Sequence, residues 1–265
     1  MTEPRKAIGP EIPPPPPARP VEWRLGLKAL SELLADPEKT EKAFEVFLRF
    51  DGDGEERTFQ RFLTEAHGPR LAAERPSLLD RLTDQAALAR LPEESFGRAY
   101  ADYLRRTGLD PAGLMKLKGE LVERAKAEGV YLPEHDPARA WFRDRTILLH
   151  DLWHVLTGYG TDELGEAALL YFTHAQVGGR ANAIFITGIG IRTIVAGELG
   201  YLPYLARAWR RGRRAAWLMA LPYEDLLPLP LEEVRRSAAI EPGEVAHPGG
   251  IRRGSYTVRP QAVAS

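Results

Sequence analysis

The 265-residue sequence contains no cysteine. That absence excludes disulfides, thiolate zinc sites, iron–sulfur clusters and a cysteine nucleophile, so any metal must be held by His, Asp or Glu. An excess of one charge is also missing: 36 Lys and Arg stand against 37 Asp and Glu, a net charge of −1. No global field therefore draws the chain to nucleic acid, which is not expected as a partner. No apolar run follows the charges at the start, which argues against a secretory signal and for an intracellular protein. Up to residue 129 there is no alternating, β-branched segment bounded by hairpin signals. The expected fold class is thus all-α: a multi-helix bundle in a single domain, with disordered N- and C-terminal tails.

Residues 1–22 hold Pro4, Pro10, a run from Pro13 to Pro17, and Pro20, with almost nothing large and apolar. Such a segment buries too little to offset its ordering entropy and should be an extended, mobile tail. Helical spacing starts at Trp23, with a stripe of Leu27, Leu30, Leu33 and Leu34, and continues through Phe44, Phe47 and Leu48. The folded body is expected over 23–240, and the Gly- and Pro-rich end, 241–265 with His247, should be a second mobile tail. Asp51-Gly52-Asp53-Gly54 resembles the start of a calcium loop, but Phe62 stands where the bidentate Glu belongs, so the stretch reads as a turn. The stripe Phe96, Tyr100, Tyr103 reads as core. His67 and His135 sit in turn-like, Pro-flanked settings and read as surface histidines.

The chemistry concentrates in His150-Asp151-Leu152-Trp153-His154, followed after eleven residues by Glu166. Asp136 and Pro137 supply an N-cap and a first helical residue for a helix running through Val155. Between Ile147 and Leu156 that helix is apolar on most sides, so it should be buried, and His150, Asp151 and His154 interrupt a buried surface. At about 100° per residue, histidines at i and i+4 lie one turn apart on one face. Glu166 on a continuous helix would be about 18 Å away along the axis. Gly158-Tyr159-Gly160 supplies a reversal, with Thr161 or Asp162 as the next N-cap, that returns Glu166 to the histidines. A carboxylate on this apolar second helix needs a cation or a donor network. The four groups suit one divalent metal ion, zinc first, with iron or manganese compatible; a cluster of neutral histidines donating to carboxylates is the plainer alternative. Spacing alone leaves two chemistries open. One is peptidase-like hydrolysis, although Asp151 is one methylene shorter than the usual Glu base; the other is two histidines and a carboxylate around an oxygenase-type metal.

The stretch Arg143 to Gly158, with Leu164-Gly165-Glu166, resembles the coenzyme Q biosynthesis protein 4 family, whose hallmark is His-Asp-x-x-His, eleven residues, then Glu. The likeness extends to Leu91–Tyr100, Gly200-Tyr-Leu-Pro203 and Pro228–Arg235, and covers most of residues 24–240. The resemblance implies an all-helical protein of ubiquinone biosynthesis, peripheral to a membrane and associated with other enzymes of the pathway. His150, Asp151, His154 and Glu166 would be its metal ligands and catalytic residues. It further implies oxidative decarboxylation of a polyprenylated 4-hydroxybenzoate-derived ring, C1 losing its carboxylate and gaining a hydroxyl. A non-catalytic scaffold for prenylated intermediates and partner enzymes is the competing reading, and a metal-dependent hydrolase a weaker one. With no mitochondrial presequence evident, a bacterial-type member is expected, cytoplasmic and peripheral to the inner membrane.

Two downstream stretches bear on a lipid substrate. The apolar, Gly-dotted run Ala181–Leu205 is interrupted by Arg192 and falls short of a membrane span. It offers Phe185, Ile189 and Ile194 for a prenyl tail, or a homodimer interface, or ordinary core. Next, Arg207, Trp209, Arg210, Arg211, Arg213 and Arg214 fall within eight residues and suit an anionic membrane surface, unless they form a solvated helix face. His174 reads as a core or surface histidine.

Overall fold

The computed structural model describes residues 12–36, 40–129, 132 and 136–254, and over these the chain is helical almost throughout. The first half forms α1 Trp23–Ala35, α2 Thr40–Phe50, α3 Gly54–Thr64, α4 Gly68–Glu74, α5 Leu78–Thr83, α6 Gln85–Arg90, α7 Phe96–Thr107 and α8 Pro111–Ala127. The second half forms α9 Pro137–Thr157, α10 Glu163–Val177, α11 Arg180–Val195, α12 Tyr201–Arg214, α13 Tyr223–Leu226, α14 Leu231–Ser237 and α15 Gly243–Ala246. Among the described residues there is no β-strand, only one isolated bridge between Ser95 and Pro230. The all-α expectation holds.

Helix α9 is the hub, touching α3, α4, α5, α7, α10 and α14. Its ends are those the sequence marks. The Asp136 carboxylate accepts from Ala138 N at 3.0 Å and Arg139 N at 3.3 Å, Pro137 follows, and Gly158 closes the helix at φ 78°. Phe142 packs on Phe62 and Phe59 with ring centroids 4.8 and 5.2 Å apart. Each such fully buried ring stabilises the fold by on the order of 2 kcal/mol. Toward α13, Arg145 donates to both Glu224 oxygens, at 2.5 and 3.0 Å, so a nearly inaccessible charge is paired. A smaller cluster, Ala29, Leu30, Val46, Phe50, Ala181 and Phe185, joins α1, α2 and α11. The aromatic stripe Phe96, Tyr100, Tyr103 is buried, as read from its spacing.

The buried C-terminal end of α9 would leave four carbonyls without helical partners. Gly158 N donates to His154 O at 2.8 Å, and Arg235 takes Val155 O and Leu156 O, both at 2.9 Å. Arg211 takes Thr157 O at 2.6 Å and also reaches Glu241 O at 2.7 Å. All four are satisfied, two of the three donors being guanidiniums whose charge also suits the negative end of the helix.

The tails depart from expectation. Residues 12–22 carry no regular structure, yet Ile12 packs on the main core and the Pro13 carbonyl accepts from Arg139 Nη1 at 3.0 Å. The mobile tail expected from residue 241 is corrected up to Gly254. There α15 forms, His247 is 1% exposed, and Ile251 packs on the core. Ala246, Ile251 and a buried imidazole gave this segment enough to bury, which its Gly and Pro content concealed. His135 and residues 1–11 and 255–265 lie outside the described residues.

The apolar run 181–205 breaks at 196–200 into α11 and α12. No helix among the described residues is long and apolar enough to cross a membrane.

Candidate metal centre

The reversal expected at Gly158–Gly160 brings α10 back against α9, and Asp162 caps it, accepting from Gly165 N at 3.2 Å. Gly165 is what allows the close turn: a Cβ there would sit 2.2 Å from the Gly160 carbonyl oxygen. Glu166 follows directly and faces the histidine pair. One ligand atom each from His150, His154 and Glu166 lie within 4.8 Å of one another. Glu166 Oε1 is 3.1 Å from His154 Nε2, Oε2 is 3.3 Å from His150 Nε2, and the two ring nitrogens are 3.2 Å apart. The rings stand nearly perpendicular, at 88°.

The proton positions follow from the partners. His154 Nδ1 lies 3.0 Å from the Tyr159 carbonyl, which can only accept, so Nδ1 carries the hydrogen. A neutral His154 then presents a lone pair at Nε2 toward His150 and Glu166. One nitrogen from each imidazole and a carboxylate oxygen thus converge within a few ångströms of one another. Burial disfavours charge on His150, but Glu166 overrides it and raises that ring's pKa. Burial would likewise raise Glu166, but the His154 and His150 rings hold it well below the ordinary carboxylate range. The donor set of two nitrogens and one carboxylate fits a divalent metal.

Asp151 is not brought into this trio. It is buried beside it, with Oδ1 accepting from the Tyr103 hydroxyl at 3.4 Å, and burial raises its pKa against the pull of both histidines. Tyr103 also stacks on His154, centroids 5.8 Å apart. Sequence reasoning placed Tyr103 only in the core; the signal available was its hydroxyl, which when buried must find a partner. Tyr159 and His247 were missed as well. Tyr159 orients His154 through its backbone, and its hydroxyl lies 2.8 Å from His247 Nε2. His174, in the last turn of α10, stands apart from the trio, with no partner for Nδ1 among the described residues.

Beside the trio opens a cleft of about 320 Å³, walled by Tyr103, His154 and the turn residues 158–161. Phe185, Ile189 and Ile194 do not line it. Phe185 belongs to the small α1–α2–α11 cluster, Ile189 to the main core, and Ile194 is 56% exposed. Of the basic cluster on α12, Trp209, Arg210, Arg213 and Arg214 are exposed and Arg207 is half-buried. Arg211 is corrected: at 2% exposure and bound to two carbonyls, it is a structural clamp that no membrane could reach.

A family model described as coenzyme Q (ubiquinone) biosynthesis protein Coq4 matches residues 56–244. The chain is similar to "Ubiquinone biosynthesis protein COQ4 homolog 1, mitochondrial" of Culex quinquefasciatus, 29% identical over 183 residues, covering 69% of this chain and 61% of that protein. It is similar to the Danio rerio protein named COQ4 homolog, mitochondrial, at 26% over 197 residues, 74% of this chain and 67% of that one. The matches thus span about three-fifths to two-thirds of these relatives' own length. A crystal structure from Nostoc punctiforme PCC 73102, provisionally assigned to ubiquinone biosynthesis, superposes with a TM-score of 0.56 at 19% identity, covering 83% of this chain and 99% of that one. That likeness shows a shared fold.

Proposed function

From the membership of this chain in the coenzyme Q (ubiquinone) biosynthesis protein Coq4 family, we propose that it acts in ubiquinone biosynthesis on a polyprenylated 4-hydroxybenzoate-derived ring, replacing the C1 carboxylate with a hydroxyl. His150, His154 and Glu166 would hold one divalent ion, zinc before iron or manganese. The observation that carries the reading is the convergence of His150 Nε2, His154 Nε2 and the Glu166 carboxylate, with the His154 ring fixed by its Nδ1 at 3.0 Å from the Tyr159 carbonyl.

When bound, such an ion supplies a Lewis acid for the substrate's carboxylate and phenolic oxygen, and, if redox-active, a partner for O₂. The chain's own residues do the positioning. Tyr159 fixes the His154 ring, Tyr103 stacks on it, and Glu166 balances the charge. Asp151, turned to Tyr103 and outside the trio, is poorly placed as the general base of a hydrolase.

The test is the full chain, loaded in turn with zinc, iron and manganese and given the prenylated acid under O₂. The expected product lacks the carboxylate and carries a new hydroxyl, and His154→Ala and Glu166→Gln variants that still fold lose turnover. Unchanged turnover in either variant sinks the reading, and bound metal and lipid with no turnover in any form favours the scaffold. Association with an anionic membrane surface is part of the proposal. It is supported by exposed Ile191, Ile194, Val195 and Leu199 at the α11–α12 break and by the exposed arginines of α12. Flotation with anionic liposomes at low salt tests it, and absence of binding there removes it.

A further inference from the structure

The cleft beside His154 is lined by three arginines from three segments: Arg106 of α7, Arg235 of α14, and Arg253 of the C-terminal segment. They are not equivalent. Arg235 is consumed by the end of α9 and by Glu232. The side chains of Arg106 and Arg253, both exposed at the cleft's rim, have no ion pair or hydrogen bond among the described residues, although Asp102 lies on the same wall. That aspartate is taken by Arg98 and Arg105. Two uncommitted guanidiniums therefore face one concave space with no carboxylate free to neutralise them, and the low-dielectric walls of a cleft focus such a field.

Both are placed by structure. Arg106 lies one turn after Tyr103 on α7, so the two share a helix face. Arg253 is held by its neighbours: Arg252 N donates to the Tyr204 hydroxyl at 3.1 Å, while Gly254 N donates to Asp162 Oδ1 at 2.8 Å and Gly254 O accepts from Leu164 N at 3.0 Å. The segment is thus pinned on one side of Arg253 to Tyr204 of α12 and on the other to the turn that returns Glu166 to the histidines. Arg253 also lies past residue 244, where the family match ends.

We infer that Arg106 and Arg253 form an oxyanion-binding subsite that seizes a carboxylate or phosphate group of a small ligand in this cleft. Guanidinium forks suit either oxyanion through paired N–H donors. The subsite does not depend on the proposed reaction centre at His150, His154 and Glu166; it rests only on the cleft and the two free cations.

The experiment is titration of the full chain, as purified, with benzoate, with its neutral isostere benzamide, and with inorganic phosphate, followed by chemical shifts. The single and double Arg106→Gln and Arg253→Gln variants are treated alike, and circular dichroism verifies their fold. The expected result is that the unaltered chain binds at least one of the two anions, and that the double variant loses about tenfold or more of that affinity. Loss for benzoate identifies a carboxylate source, loss for phosphate a phosphorylated one. Binding of neither anion, equal affinity in the double variant, or benzamide bound as tightly as benzoate overturns the subsite. Zinc titration of the same double variant separates the two readings: the subsite predicts that its zinc affinity is retained. A failure of zinc binding in the unaltered chain, with anion binding intact, sinks the metal reading and leaves the subsite standing.

Discussion

Asp151 and Glu166 are carboxylates beside the same two histidines, yet only Glu166 directs its oxygens at the ring nitrogens. Their neutral amides should therefore separate in a zinc titration. Glu166→Gln removes a ligand and should weaken zinc by more than about a hundredfold, whereas Asp151→Asn alters only a neighbour and should cost about tenfold or less. Equal losses would restore Asp151 to the ligand set. His247 gives a second prediction at this scale. Burial, reinforced by Arg211 and Arg207, lowers its pKa from 6.5 to about 4. The unfolded chain thus takes up the proton first as pH falls, so its contribution to stability is intact above about 6.5 and is lost toward pH 4, by on the order of 3 kcal/mol at most. Denaturant unfolding across that window should show a slope that His247→Phe flattens, and an unchanged slope would refute it. The histidine pair and Glu166 were legible in the sequence because i, i+4 spacing and a Gly reversal are local. The buried state of His247 was not, because its partners Tyr159 and Tyr204 come from distant segments.

The α9–α10 hairpin shows what an element can and cannot reveal of itself. Asp136, Pro137 and Gly158 announce the limits of α9 by side-chain capping and a left-handed terminus, and the structure keeps all three. The alternation of arginines on α12 announced only a basic face. Arg211 is on that helix, but its use is decided by the carbonyl of Thr157, fifty-four residues away. Gly165 lies between these cases: it reads as part of a motif, while its reason, the Gly160 oxygen 2.2 Å from any added Cβ, is tertiary. Gly165→Ala must push α10 off the turn, which cannot yield because the contact is backbone. The expected cost is about 3 kcal/mol of stability. A matching loss of zinc stoichiometry should accompany it, since Glu166 is the next residue. Unfolding curves and zinc titration on one sample check both, and a fully stable variant that binds zinc normally would show that the turn can relax.

For the molecule as a whole, helix content and the single central helix follow from periodic apolar stripes and from the absence of strand signals. The return of the C-terminal segment over the α9–α10 turn does not, because it is held by backbone hydrogen bonds from Arg252 and Gly254 that leave no trace in composition. Ending the chain after Glu241 removes His247 and those bonds, and should lower the melting temperature by several degrees, on the scale of about 1 to 2 kcal/mol lost from a chain this size. An unshifted midpoint would make the segment dispensable. The unequal exposure of the trio carries a consequence of another kind. His154 is 1% accessible at its side chain, while His150 and Glu166 are 40% and 38% accessible. An ion held there has one protein-covered side and one side open to solvent, so it can leave without the helices parting. Its release is then a local event with its own clock: a chelator in excess should strip the metal orders of magnitude faster than the protein unfolds, and a stripping rate equal to the unfolding rate would mean that the gate is the fold itself.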